Sequence, residues 1–136
     1  MAKNGILFVL LLILVVLAGC SGKVKLKGKV TYSDDGSPVP IGTVGFETDT
    51  YSARGTLSPD GTFDVGSLGE KDGLPPGTYR VSVTGAEKVI GQGAYGANIY
   101  EPLIDTKYTR GSTSGLTIDV NASTRKYEFE VDRYKP

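Results

Sequence analysis

Histidine and tryptophan are absent from this chain, and cysteine and methionine occur once each. Without histidine there can be no Ser-His-Asp or Cys-His catalytic grouping, and no zinc site that needs an imidazole ligand. The single cysteine, Cys20, allows no disulfide within the chain. Charge of one sign in excess is also missing, because fifteen basic residues balance fifteen acidic ones. A neutral domain lacks the basic footprint that nucleic-acid binding requires, so no nucleic-acid partner is expected. Helical patterning is scarce as well, with no window of convincing 3.6 periodicity. What the chain does have is nineteen glycines, seven prolines and eight tyrosines, a composition of turns and short strands.

The N-terminus has a pattern of its own. Met1 to Gly5 is polar with one positive charge at Lys3, and Ile6 to Leu17 is unbroken apolar sequence. As a helix that run would cover roughly 18 Å, too short for a hydrocarbon core of about 30 Å but suited to a signal-peptide core. Leu17-Ala18-Gly19-Cys20 follows directly and resembles the lipobox of bacterial lipoproteins. In that motif the small residues Ala18 and Gly19 let a peptidase reach the backbone, and the Cys20 thiol receives a diacylglycerol. The resemblance implies a signal peptide over 1–19, a lipidated N-terminus and short tether over 20–26, and a domain over 27–136. Two or three acyl chains, at about 0.8 kcal/mol per buried methylene, hold a protein stably on a membrane. An ordinary signal peptide or an uncleaved anchor helix are the competing readings. Ser21, where inner-membrane lipoproteins of proteobacteria tend to carry Asp, leans the expectation toward the outer membrane. The expected location is the cell membrane or outer membrane, facing the periplasm or cell surface.

Beyond the tether the sequence alternates. Lys23 to Tyr32 puts Val24, Leu26, Val30 and Tyr32 on one side and Lys23, Lys25, Lys27 and Lys29 on the other, the period of a half-buried strand. Further strands are predicted over 41–48, 51–57, 62–65, 78–84, 115–120 and 126–132, with 51–57 and 62–65 joined as a hairpin through the type I turn Ser58-Pro59-Asp60-Gly61. Residues 85–114 show little periodicity. A stretch of that length in a compact domain is functional, mobile, or contains short elements of its own. About seven short strands separated by turn signals predict an all-β fold, a β-sandwich.

Several segments in order, Lys27-Gly28-Lys29-Val30-Thr31-Tyr32, Gly36-Ser37-Pro38-Val39-Pro40, Asp60-Gly61-Thr62-Phe63, Leu74-Pro75-Pro76-Gly77-Thr78-Tyr79-Arg80-Val81 and Thr113-Ser114-Gly115-Leu116-Thr117, resemble small lipoproteins common in Planctomycetes and related bacteria. Those proteins carry a transthyretin-like (prealbumin-like, Ig-like), carboxypeptidase-regulatory-like β-sandwich. The resemblance implies that fold over residues 27–132, not an activity. Transthyretin-like enzymes that cleave ureides use histidine, which this chain lacks.

Three groups of residues are site candidates. The lysine row Lys23, Lys25, Lys27 and Lys29 could meet anionic headgroups close to Cys20, or could simply protect a solvated edge strand. Asp34, Asp35, Asp60 and Asp64 could gather calcium, but turn capping explains them better, and no metal or cofactor is expected. Tyr95, Asn98, Tyr100, Glu101 and Tyr108 could form a sugar- or protein-binding surface on the long loop, or cap the end of the sandwich. The expected function is therefore a non-catalytic, membrane-anchored module that binds an envelope protein or glycan. A purely structural envelope component is the alternative, and an enzyme with an unrecognised site the remote one.

Overall fold

The chain is described by a computed structural model that covers residues 22–66 and 72–136. The lipobox residues Leu17, Ala18, Gly19 and Cys20 lie outside the described residues. The fold is all-β. Nine strands are present among the described residues: β1 (Lys27–Tyr32), β2 (Thr43–Glu47), β3 (Ser52–Thr56), β4 (Thr62–Asp64), β5 (Gly77–Thr84), β6 (Glu87–Gln92), β7 (Asn98–Pro102), β8 (Leu116–Val120) and β9 (Lys126–Val131). One α-helical turn, α1 (Gly111–Ser114), precedes β8.

Seven of these strands make two sheets, ordered β4-β1-β9 and β3-β2-β5-β8; β6 and β7 form a separate pair. Alternation explains the layering. Val30, Tyr32, Phe63, Phe129 and Val131 point inward from the first sheet, and Val44, Phe46, Ala53, Tyr79, Val81, Val83 and Val120 from the second, all buried. Phe46 of β2 meets Phe63 of β4 at 6.0 Å and Tyr127 of β9 at 6.3 Å between ring centroids, so aromatic contacts close the gap between the sheets. Each such side chain removed from water contributes about 1.5–3 kcal/mol. The expected strands are present, and their inward sets face this core.

One expected connection is corrected. The turn at 58–61 forms, with the Gly61 N–H donating to the Ser58 carbonyl at 2.8 Å and Gly61 at φ 81°. Its flanking strands do not make a hairpin, however. β3 pairs with β2 and β4 with β1, so the chain crosses from one sheet to the other at the turn. Among the described residues the two arms are linked only by the Ser58 N–H, which donates to the Thr62 carbonyl at 2.9 Å beside the turn, and by an isolated bridge between Arg54 and Gly66. A two-residue periodicity specifies which face is buried, not which strand is the neighbour.

The sandwich has two poles. At one, residues 22–26 enter the fold: Val24 and Leu74 exchange backbone hydrogen bonds of 2.8 and 3.0 Å, and the Val65 N–H donates to the Leu26 carbonyl. At the other, β5 ends at Thr84, and the C-terminal segment is strapped down. There Ile104 bridges to Arg133, and the Asp105 N–H donates to the Asp132 carbonyl. The eight residues of β5 separate the two poles by roughly 23 Å, at about 3.3 Å per residue.

Candidate binding surface

The stretch 85–114 is not irregular. Its first half is a hairpin that leaves the far pole immediately after β5. Gly85, in the left-handed region at φ 68°, turns the chain, and Ala86 is buried, its carbonyl accepting the Leu103 N–H at 2.8 Å. Beyond that staple β6 and β7 run antiparallel, pairing Lys88 with Glu101, Val89 with Tyr100, Gly91 with Ile99 and Gln92 with Asn98, with a bulge between Val89 and Gly91. The apolar pairs Val89-Ile90 and Ile99-Tyr100 flank a glycine-rich tip, which is a hairpin signal too short to register as periodicity.

Every residue of β6 is exposed. Val89, Ile90, Ile99 and Tyr100 are 47–55% exposed, and Tyr95 at the tip is fully so. Residues paired across the strands share a face. Val89 and Tyr100 therefore lie on one side, and Ile99, with the Lys88–Glu101 pair, on the other. Both faces and the tip of the hairpin therefore carry uncovered apolar side chains, more than the scattered single exposures usual on a soluble surface. A two-stranded hairpin is only marginally stable alone in water and gains from a further layer or strand. Tyr95 sits at φ 60°, ψ 21°, an uncommon backbone state for a bulky residue that glycine would adopt more cheaply. The hairpin is nearly neutral: Lys88 pairs with Glu101 at 3.5 Å, leaving Glu87.

The structure thus gathers Tyr95, Asn98, Tyr100 and Glu101 on one hairpin, with Asn98 and Tyr100 on the face opposite Glu101. Tyr108 is not part of it. It lies on a 3-10 turn (Thr106–Thr109) and is buried at 5% exposure. Its hydroxyl donates to Asp132 Oδ2 at 3.2 Å and accepts from the Asp132 N–H at 3.1 Å. Asp132 also accepts from the Ser33 hydroxyl at 2.7 Å and pairs with Lys107 at 3.0 Å. The Ser33 bond, then Lys107, hold its carboxyl down at about 2. Tyr108 therefore braces the C-terminal segment. Val89, Ile90 and Ile99 complete the exposed set and were missed because each stands in a run of only two apolar residues.

The lysine row divides differently from its sequence pattern. β1 is the central strand of its sheet, which overturns the edge-strand reading for Lys27 and Lys29. Lys23 pairs with Asp72 at 3.0 Å and Lys27 reaches Asp64 at 3.8 Å. Lys29 lies beside Thr62 and Glu128 in register; the Asp60 carboxyl is lowered first by its Thr62 hydrogen bonds and last by the field of Lys29. Of the four, Lys25, at the end of the row where the chain enters the fold, has no ion-pair partner among the described residues, and Lys27 is only loosely held.

Two of the four aspartates, Asp35 and Asp60, cap their turns, while Asp34 pairs with Arg133 and Asp64, in β4, faces Lys27. Asp35 accepts the Ser37 N–H and hydroxyl at 2.9 and 2.7 Å, and Asp60 accepts those of Thr62 at 3.1 and 2.6 Å. Asp34 and Asp35 also hold Arg133, at 2.7 and 3.1 Å. Among the described residues, no group of three or more potential metal ligands converges.

No protein family and no curated protein sequence matches the chain. Among solved structures it is similar to a 9R-lipoxygenase from Cyanothece PCC8801, with 18% identity and a TM-score of 0.37. That likeness covers 79% of this chain but only 16% of the lipoxygenase. At that score it carries no argument about activity.

Proposed function

We propose that this protein is a lipid-anchored, non-catalytic β-sandwich module that offers the β6–β7 hairpin to a protein partner in the cell envelope. The observation that carries the reading is the placement of the hairpin. Five large apolar side chains stand exposed at the pole opposite the one where residues 22–26 enter. A chain acylated at Cys20 would hold the entry pole toward the membrane and turn the hairpin outward. The near-neutral hairpin would be drawn to an apolar, shape-matched protein surface, rather than to a polyanion or an anionic bilayer. Tyr95, fully exposed on a glycine-flanked tip, is the kind of rigid aromatic anchor that dominates interface energy. The lipobox, together with the resemblance to small planctomycete lipoproteins bearing transthyretin-like domains, supports the location: cell membrane or outer membrane, facing the periplasm or cell surface.

The test is site-specific photo-crosslinking in the native envelope. A crosslinking residue at Val89 or Tyr95 should give a discrete protein adduct, whereas the same group at Asp119, on the side of the sandwich, should not. Adducts only to glycan or lipid, or none at either hairpin position, would remove the protein-binding reading. Separately, Cys20→Ser should abolish acylation and leave the precursor unprocessed. Normal incorporation of a fatty-acid probe by that variant would sink the anchor.

A further inference from the structure

The entry pole carries a second feature. A shallow cavity of about 380 Å³ opens there, lined by Lys25, Leu26, Lys27, Asp64, Val65 and Arg125. Leu26 and Val65 are buried and belong to its floor. Three cations and one carboxylate stand around it. Lys27 is only loosely held by Asp64, at 3.8 Å, with its side chain 79% exposed. Arg125 spends one guanidinium nitrogen on the Ala122 and Thr124 carbonyls, at 2.7 and 3.1 Å, and neither it nor Lys25 has a carboxylate partner among the described residues. Arg125 arrives from the β8–β9 turn, held beside β1 by the Lys27 N–H, which donates to the Arg125 carbonyl at 3.1 Å. No sequence pattern linked it to the lysines, because about a hundred residues separate them.

We infer that this cavity receives the phosphate of an anionic phospholipid headgroup and so sets the module upright on the bilayer. The inference rests on the anchored reading above. Two arguments choose the occupant. Between Cys20 and Val24, where the chain first pairs with the fold, four residues can span at most about 14 Å. An acylated Cys20 therefore keeps the cavity within roughly one or two Debye lengths of the headgroups, where a negative surface potential acts on cations. The charge is also of the right sign and in the right place: among the described residues, Lys27, Lys29 and Lys126 on the outer face of the sheet are matched by Asp64, Glu128 and Glu130, and Lys25 and Arg125 add positive charge at the entry pole. Arg125 supplies planar, paired donors suited to a phosphate, and the lysines supply point charges.

The experiment places the full-length acylated protein in nanodiscs of phosphatidylcholine, with and without phosphatidylglycerol, and follows amide hydrogen exchange. Exchange over residues 25–27, 64–65 and 125–126 should slow with phosphatidylglycerol, while that over 87–102 stays unchanged. Each cation neutralised in Lys25→Gln or Arg125→Gln should raise by about fivefold the phosphatidylglycerol fraction needed for half-maximal protection. Arg125→Lys should retain most of it. Acylated protein with no lipid-dependent protection overturns the inference and leaves the anchor standing. Equal protection from inorganic phosphate in phosphatidylcholine discs also overturns it, because the cavity would then be a site for free anions. Absence of the acyl group in the mass spectrum would mark failure of the anchored reading instead.

Discussion

Gly28 occupies an inward position of β1, in the register where Val24, Leu26, Val30 and Tyr32 are buried. A Cβ there would collide with the Phe63 ring, which packs against Phe129, and with the Tyr127 backbone carbonyl, which is fixed in the β1–β9 ladder. Neither neighbour can give way without moving a strand, so Gly28→Ala should destabilise by about 1–3 kcal/mol. Urea unfolding would show this as a lower midpoint at an unchanged slope. At the far pole, Asp132 titrates at about 2, through Ser33 and then Lys107, and Asp35 at about 2, through Ser37. A carboxylate whose folded pKa lies below its unfolded value near 3.9 stabilises fully above that value, and the contribution is lost as pH falls through the folded one. Stability should therefore drop as pH goes from about 4 to about 2. Asp132→Asn should flatten that part of the curve in thermal melts between pH 2 and pH 5; an unchanged slope would refute the assignment.

At the scale of elements, the sandwich and the hairpin should behave as separate units. Replacing 87–102 with a short glycine-serine turn removes no buried side chain from β6 and leaves the Ala86–Leu103 staple in place. The melting temperature should stay within a few degrees, and amides of the hairpin should exchange far faster than those of β5 in the intact protein. A loss of ten degrees or more would show that the hairpin supports the core. The difference between these units is also why one was legible in the sequence and the other was not. The strands of the sandwich each bury alternate residues, so the runs 23–32, 78–84 and 126–132 announced their inward faces, although the first strand starts only at Lys27 and Val24 makes just an isolated bridge to Leu74. β6 and β7 bury almost nothing and have no such alternation to show. Pairing was harder still. The run 51–65 looks like a hairpin because its turn is genuine, yet β3 and β4 find partners in opposite sheets. Likewise, nothing local to Tyr108 revealed that its hydroxyl would meet Asp132, or that Arg125 would arrive beside Lys27.

For the whole molecule, the arrangement of poles makes a geometric claim that does not depend on knowing the partner. Chain entry and hairpin lie at opposite ends of β5, about 23 Å apart by its eight residues alone. The only native cysteine is Cys20, whose thiol is consumed if it is acylated, so one introduced cysteine can be labelled uniquely. A fluorophore on Tyr95→Cys in reconstituted vesicles should be quenched by water-soluble iodide and hardly at all by lipid-embedded spin labels. The same fluorophore on Lys25→Cys should show the reverse preference if, as proposed, a short acylated tether holds that pole against the headgroups. Both sites are exposed, so neither substitution should disturb the core, and each label serves as the other's control. If lipid-embedded quenchers reached position 95 as readily as position 25, the module would lie flat on the bilayer. The hairpin's apolar side chains would then be membrane contacts rather than a surface held out to a protein. If position 25 were shielded from the lipid and position 95 were not, the orientation itself would be inverted. Only a module standing on its entry pole gives the opposed pattern, and only that posture leaves Val89, Tyr95 and Tyr100 free to meet another protein.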